Sequence, residues 1–338
     1  MREKRVTIQD VAKAADVSIT TVSRFLNKRY ESMSTATRER IARVIEELNY
    51  KPNILAQGLK GNKTKTVAIV VVNITYPFCV SVIRSLSTML NEAGYRLMVA
   101  DTGGDAAREQ SLLESLMAQQ VEGMIVQTNG DNNNLLGEIA KQLPVIIIDR
   151  QFDIPHTVNV ITDNEDASRK LTHTLFQNGY NTVVYLTEPI AGISTRHGRL
   201  KGYESACRET GHEAIVVWVN KDESDSFKRA LGEIQGLNLN KPAAIFTANG
   251  LIMLSFYPLI RDAEWNVPRD FGLATFDEPD WVRLTTPPLT CVRQPTTEIG
   301  HFSGEAILKA LRASKGLKRR QVAVFPSEIM LGDSTRLS

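Results

Sequence analysis

Cysteine, long apolar runs and leader-like segments are scarce or missing in this 338-residue sequence. The three cysteines, Cys79, Cys207 and Cys291, lie far apart and form neither a CxxC pair nor a metal-binding spacing, which fits a reducing compartment. No apolar run approaches the length that crosses a bilayer. The charged start, residues 1–8, is followed by no apolar segment, so no secretory signal is predicted. These absences predict a cytoplasmic protein with no membrane partner.

The motifs of common enzyme classes are also missing. The sequence contains no GxxxxGK[ST] phosphate loop, no GxSxG elbow and no HExxH. Its five histidines show no ligand spacing, and its carboxylate pairs lack a partnered base. The sequence therefore disfavours an enzyme and predicts no catalytic residue, no metal and no cofactor.

Charge is distributed unevenly along the chain. Residues 1–65 hold 14 Lys and Arg against 7 Asp and Glu, whereas the remainder holds 26 against 31. A basic head of +7 on a body of −5 favours contact with a polyanion such as nucleic acid. A solvated charged surface explains the same numbers equally well.

Residues 1–50 carry the start signals of three short helices. Thr7, with Asp10 three residues later, is typical of a capped helix start, and Ser18 and Ser34 are N-cap candidates for the next two helices. Apolar side chains recur at helical spacing after each cap. The tight turn between the first two helices predicts a helix-turn-helix unit.

The second predicted helix divides its faces between apolar and polar side chains. In helix-turn-helix units the start of this helix enters the major groove, where small polar groups and arginine reach base edges. A generic three-helix bundle with a polar face remains the alternative on this pattern alone. The outer positions are Ser18, Ile19, Thr20, Thr21, Ser23 and Arg24.

Beyond residue 65, short β-rich runs alternate with helical stretches. The alternation predicts a doubly wound parallel sheet with helices on both faces, and two groups of strands predict two similar lobes. The predicted strands are 66–72, 96–100, 123–126, 145–148, 183–186, 215–219, 243–246, 272–276 and 322–325. The predicted helices lie near 78–93, 105–119, 163–178, 196–210 and 295–313.

Ligands of such folds bind at the carboxyl ends of the strands. The side chains there are mostly polar, with two aromatics, which suits a carbohydrate. Helix caps and loop residues would give a similar set, but the set as a whole favours a ligand cleft. Its members are Asn73, Thr75, Tyr76, Phe78, Asp101, Thr128, Asp149, Arg150, Thr187, Glu188, Asn220, Asn249 and Asp277.

The literal residues add a family resemblance. Residues 6–27 read VTIQDVAKAADVSITTVSRFLN, and NYKPN at 49–53 is followed by LAQGL at 55–59. This sequence strongly resembles the lactose-repressor/galactose-repressor family of bacterial transcriptional regulators. The resemblance implies a small all-α helix-turn-helix head (1–50), a hinge helix and linker (51–65) and a two-lobed α/β body of the periplasmic-binding-protein type (66–338). It also implies that the chain crosses between lobes near residues 162, 291 and 325.

The resemblance assigns roles in the head and hinge. Ile19, Thr20 and Arg24 take the main base-reading positions, and Leu59 takes the position of a leucine that wedges into the minor groove. Gly58 departs from the longer residue usual there, which weakens the hinge helix because glycine disfavours helices. Supporting or backbone-contacting positions fall on Ser18, Thr21, Ser23, Asn27, Tyr50 and Asn53.

The resemblance also assigns an effector site. Arg199 matches the arginine that grips the effector, Asn249 and Asp277 match two polar contacts, and the segment from Tyr76 to Phe78 resembles an aromatic wall. Arg150 departs from the common pattern and favours a sugar acid or a phosphorylated sugar. A surface residue or a structural salt-bridge partner is the alternative for Arg150.

The implied function is a repressor of carbohydrate-utilisation genes that binds operator DNA and is controlled allosterically by a small carbohydrate-like effector. A free ligand-binding receptor is disfavoured because a DNA-binding head is present. No heptad repeat follows the last predicted strand, so a homodimer is expected rather than a tail-built tetramer.

Overall fold

The computed structural model describes residues 6–26, 28–31, 33–50, 64–190, 192–223, 225–313 and 320–337. By its internal contacts the chain divides into two units, Met1–Thr64 and Lys65–Ser338, which are called the head and the body. Asn27, Asn53 and Leu59, together with the predicted hinge helix, lie outside the described residues.

The described residues of the head form three helices, α1 (Ile8–Ala14), α2 (Ile19–Leu26) and α3 (Thr35–Glu47). Thr7 and Asp10 cap α1 reciprocally: the Thr7 backbone N–H donates to the Asp10 carboxylate at 2.8 Å, and the Asp10 N–H donates to Thr7 Oγ1 at 3.4 Å. This arrangement satisfies two backbone donors that a helix start otherwise leaves without partners.

The turn between α1 and α2 is short because polar groups close it. The Val17 N–H donates to the carbonyl of Ala12 at 3.0 Å, and Asp16 takes a positive φ of 49°. Ser18 Oγ then accepts the Thr21 N–H at 3.1 Å, which starts α2 as expected. The head's apolar core comprises Val11, Ala12, Ala15, Val22, Ile41, Val44 and Tyr50.

In the part of the body that the structure describes, the strands form two six-stranded sheets, one in each lobe. The strand order is β11-β5-β4-β3-β1-β2 in the first lobe and β12-β10-β9-β8-β6-β7 in the second. All strand pairs are parallel except β10 with β12. The strands are β1 (Thr66–Val71), β2 (Arg96–Asp101), β3 (Gly123–Val126), β4 (Val145–Ile148), β5 (Thr157–Thr162), β6 (Thr182–Thr187), β7 (Ile215–Trp218), β8 (Ala243–Thr247), β9 (Gly272–Phe276), β10 (Thr290–Arg293), β11 (Gln321–Phe325) and β12 (Glu328–Met330).

Helices cover the sheets on both faces, which is why the central strands are buried along their whole length. The predicted fold class, a helical head on a two-lobed parallel α/β body, is confirmed. The helices are α4 (Pro77–Glu92), α5 (Ala106–Ala118), α6 (Asn133–Ala140), α7 (Asn164–Gln177), α8 (Ser194–Thr210), α9 (Ser226–Gly236), α10 (Gly250–Asp262) and α11 (Thr296–Arg312).

The chain passes between the lobes three times: after β5, after β10 and after β11. Side-chain hydrogen bonds connect these crossover segments to one another. Thr162 Oγ1 donates to the Gln294 side-chain carbonyl at 2.7 Å, which joins the first crossover to the second. Ser327 donates to the Asp163 carboxylate through its hydroxyl at 2.6 Å and its N–H at 2.9 Å, which joins the first to the third.

In the described part of the chain, no helix is long and apolar enough to cross a membrane. The same residues contain no group of three or more His, Cys, Asp or Glu side chains that could hold a metal ion. The three cysteines are buried and form no disulfide. Burial raises the pKa of the Cys207 thiol to about 11.

Candidate functional site

The head presents one polar face of α2 to solvent. Ser18, Thr20 and Arg24 are exposed there, and so is Ile19, with 38% of its surface accessible. Val22, on the opposite side, is fully buried. Amphipathic packing therefore holds the start of α2 outward with its positive dipole end free for an anion.

The remaining predicted DNA contacts differ in placement. Thr21 and Ser23 are half-buried, and one hydrogen bond of 2.8 Å joins the Ser18 and Thr21 hydroxyls. Tyr50 is buried in the head core, where burial raises its pKa. Its ring therefore packs against the helices, and this placement favours the supporting role among those the resemblance allowed.

A cavity of about 330 Å³ lies in the body between the two lobes. Its walls come from the segments that follow the carboxyl ends of strands in both sheets, which is the position expected for a doubly wound fold. The volume is at the lower end of small-molecule sites. The lining residues are Val72, Asn73, Tyr76, Gly103, Gly104, Asn129, Arg150, Glu188, Pro189, Ile193, Arg196, Asn220, Lys221 and Asp222.

Arg150 lies in the first-lobe wall and is 6% exposed, which excludes the alternative of a surface residue. Its Nη1 donates to the Thr128 carbonyl at 3.0 Å and to the Asn129 side-chain oxygen. Asp149 Oδ2 lies 3.8 Å from its Nε, an ion pair that fits the other alternative, a structural salt-bridge partner. Burial lowers the pKa of Arg150 because the charged form is desolvated.

The opposite wall is built on an ion pair. Arg196 Nη2 lies 2.8 Å from Glu188 Oε2, and Asn249 Nδ2 donates to the same carboxylate oxygen at 3.1 Å. Tyr76 reaches into the cavity from the first lobe. Burial raises the pKa of Tyr76, and the negative charge of Glu188 raises it further.

Arg199 and Asn249 line neither this cavity nor the groove described below. Arg199 Nε donates to Asn164 Oδ1 at 2.8 Å, its Nη1 donates to the Ala248 carbonyl at 2.8 Å, and its guanidinium stacks 3.7 Å from the centre of the Phe276 ring. Asn249 caps α10 by accepting the Ile252 N–H.

Phe78 and Asp277 line a second, wider groove of about 940 Å³ that runs along the crossovers. Asp277 accepts the Gly250 N–H at 3.2 Å and the side-chain amide of Gln294. In this structure the six predicted effector residues thus do not share one cavity. Tyr76 and Arg150 line the smaller cavity, and Asn249 reaches it only through Glu188.

Several lining residues were missed as candidates. Asn129 and Lys221 each lie one position beyond a strand-end residue that the sequence pattern did select, Thr128 and Asn220. Including the third residue after each strand would have found both. Arg196 lies in the same helix as Arg199, and only the direction of the helix decides which arginine faces the cavity.

Comparison with known proteins identifies the family in which this architecture occurs. Residues 7–53 match the model of bacterial regulatory proteins of the lacI family, and residues 64–309 match that of periplasmic binding proteins and the sugar-binding domain of the LacI family. The HTH-type transcriptional regulator KdgR of Bacillus subtilis is 34% identical over 92% of both chains. The chain belongs to the LacI family.

Other relatives of this LacI-family chain agree. The HTH-type transcriptional regulator PtxS of Pseudomonas aeruginosa is 33% identical over 98% of this chain and 96% of its own. Among solved structures, a lac repressor dimer bound to operator and the anti-inducer ONPF superposes with a TM-score of 0.83 at 23% identity, over 98% and 99% of the two chains. At 23% identity, the likeness to the lac repressor structure shows a shared fold and no more. The expected family is confirmed, and the chain is a DNA-binding transcriptional regulator with a sugar-binding-type body.

In this LacI-family body, Gln294→Ala is expected to lower stability by about 1–3 kcal/mol. The substitution leaves Thr162, which is 2% exposed, and one Asp277 oxygen without their partner, and an unmade buried hydrogen bond costs about that much. Urea denaturation of the full chain measures the loss. Gln235→Ala, on an exposed position of α9, is the control and should change stability by less than ~0.5 kcal/mol. Equal stability of the two variants would contradict the bridging role of Gln294.

Proposed function

We propose that this LacI-family regulator is a cytoplasmic repressor of carbohydrate-utilisation genes that binds a near-palindromic operator as a homodimer. The observation that carries the proposal is the presence, in one chain, of a helix-turn-helix head and a body with a ligand-sized cavity at the strand ends of both lobes. The proposed organisation is a reading head at 1–50, a hinge at 51–65 and an effector-binding, dimerising body at 66–338.

In the head, Ile19, Thr20 and Arg24 contact base edges in the major groove, supported by their exposure on the outer face of α2. A dimer places two such helices in successive major grooves, and a relative of this fold is a dimer on its operator. Phosphate contacts supply salt-dependent affinity. Those contacts and the helix support fall to Ser18, Thr21, Ser23, Asn27, Tyr50 and Asn53, with Leu59 as the wedge.

In the body, the effector occupies the 330 Å³ cavity, where Tyr76 supplies an apolar ring face and Arg150 a charged donor. Relatives support a sugar-like ligand: one solved structure of the fold is the regulator CelR in complex with cellobiose. Phe78, Arg199, Asn249 and Asp277 join the site when the lobes move, because each lies on a segment that adjoins a cavity wall or a crossover.

Effector binding controls the head through lobe movement. A ligand that prefers one lobe arrangement shifts the population toward it, and the coupling to operator affinity is reciprocal. The curated relatives are named transcriptional regulators, and no catalytic role is assigned to any residue of this chain.

The test begins by selecting the operator from random DNA with the full-length protein. Fluorescence anisotropy then measures affinity for the selected site and for scrambled DNA at several salt concentrations. We expect the selected site to bind at least 1,000-fold more tightly, as is usual for specific sites (roughly 10³–10⁷). Equal affinity for both DNAs would refute the proposal. Sugars added to the complex then report the effector response.

A further inference from the structure

Two guanidinium groups from opposite lobes line the same cavity. Arg150 follows β4 of the first sheet, and Arg196 lies in the first turn of α8 beside the second sheet. Arg196 is close enough that its positive charge lowers the pKa of Arg150, after the larger effect of burial and against the opposing effect of Asp149. Like charges therefore face each other across the cleft.

Arg150 is held in place with its hydrogen bonding incomplete. Its Nη1 donates to two neutral acceptors, the Thr128 carbonyl and the Asn129 amide. Its buried Nε has no hydrogen-bond partner in the described structure. Asp149 Oδ2, at 3.8 Å from this atom, is beyond hydrogen-bonding distance and accepts from Gln127 at 2.7 Å. A buried donor without an acceptor is costly, so the contacts of Arg150 compensate its desolvation only in part.

Arg196 is positioned as firmly in the second lobe. Its Nη1 donates to the Pro189 carbonyl at 2.8 Å, while Glu188 holds its Nη2. The side chains lining the cavity carry three cationic groups, on Arg150, Arg196 and Lys221, against two carboxylates, on Glu188 and Asp222. The lining therefore has an excess of one positive charge.

We propose that the effector is a monosaccharide-sized polyhydroxyl molecule bearing an oxyanion, a carboxylate or a phosphate, and that the oxyanion bridges Arg150 of the first lobe and Arg196 of the second. This inference rests on the proposed function of the same cavity. The planar fork of arginine suits both oxyanions, and the amides of Asn73 and Asn220 suit the hydroxyls. The volume of about 330 Å³ limits the ligand to a small molecule.

The bridge gives the effector's charge a role in lobe closure. Without an anion, approach of the lobes brings Arg150 towards Arg196, whose charge Glu188 compensates only in part, and the repulsion that is left opposes the approach. An oxyanion between them replaces this repulsion by two attractions. A neutral sugar fills the same space but leaves both cations facing each other, so it stabilises the closed arrangement less.

The experiment uses the full-length protein and matched ligands at constant ionic strength. The probes are the aldonic and uronic acids, their keto derivatives and the monophosphates of the common pentoses and hexoses, each paired with its neutral sugar or alditol. Thermal shift identifies ligands, and titration calorimetry measures their Kd. We expect at least one acid or phosphate to bind 100-fold more tightly than its neutral partner, and the arm that responds identifies the oxyanion.

Three variants test whether the ligand identified in this way bridges the two arginines. Arg150→Gln and Arg196→Gln are each expected to weaken it about 10- to 150-fold, the equivalent of one charge-assisted hydrogen-bonded contact. Arg150→Lys keeps the charge but loses the fork, so it should bind at an intermediate Kd. Arg261→Gln, on an exposed arginine of α10, is the control and should bind as wild type does. Melting temperatures without ligand show whether each variant is folded.

Each remaining outcome overturns a defined part of the inference. If a neutral sugar binds most tightly, or if no anionic probe stabilises the protein, the proposal that the effector bears an oxyanion is overturned. Unchanged binding in Arg196→Gln overturns the bridge between lobes. Operator affinity is measured in parallel: sequence-specific binding by wild type in either case leaves the proposed function standing, whereas its absence refutes that function itself.

Discussion

Arg24→Ala is expected to weaken binding to the selected operator about 5- to 150-fold, because a base-reading arginine supplies about 1–3 kcal/mol of discrimination. Arg24 lies exposed on the outer face of α2, one turn beyond Thr20. The variant should also lose preference at one base position. Anisotropy titrations against the operator and its single-base variants measure both effects.

Arg43→Ala is the matched control for this prediction. Arg43 is exposed on α3, so its loss removes the same charge from the head without changing the outer face of α2. We expect only the uniform weakening of a lost distant charge, with unchanged base preference. If Arg24→Ala and Arg43→Ala weaken all DNA sequences equally, α2 is not the reading helix.

Gly202→Ala is expected to destabilise the body by about 2 kcal/mol or more. A Cβ on Gly202 would lie 2.1 Å from the carbonyl oxygen of Glu165 and 2.9 Å from the backbone nitrogen of Arg169. Both neighbours are backbone of α7, so α7 and α8 must separate. Overpacking costs about 1–3 kcal/mol or more, and the better helix propensity of alanine offsets at most ~1 kcal/mol. Urea denaturation, with calorimetry as a second probe, measures the loss.

Gly232→Ala, also within a helix, is expected to have the opposite effect on stability. A Cβ at Gly232, within α9, meets no atom within 4 Å apart from the adjacent backbone of its own helix. Alanine there should stabilise the protein by up to ~1 kcal/mol, since it favours the helix and restricts the unfolded chain. A stability loss in this variant, or none in Gly202→Ala, would show that close approach of the helices does not decide the effect.

Local chemistry explains which elements sequence reasoning found. The caps at Thr7, Ser18 and Ser34 act within three residues of chain, so the helix starts of the head are visible as short motifs. The central strands are likewise visible because burial on both faces demands continuous apolar runs. Three of the elements that were missed give weaker patterns. β5 includes the polar Asn159 in its buried run, β12 is three residues long, and α10, although Asn249 caps it, contains Pro258.

The sequence by itself determined the helix-turn-helix head, the alternation that builds two parallel lobes, and the strand ends at which polar side chains gather. Only the tertiary structure decided which of those side chains share a cavity. Arg199 stacks on Phe276 and donates to Asn164. Arg196, three residues earlier on α8, faces Arg150 across the cleft. Periodicity places a residue on an element, but the partners of its charge come from distant segments that meet only when the lobes pack.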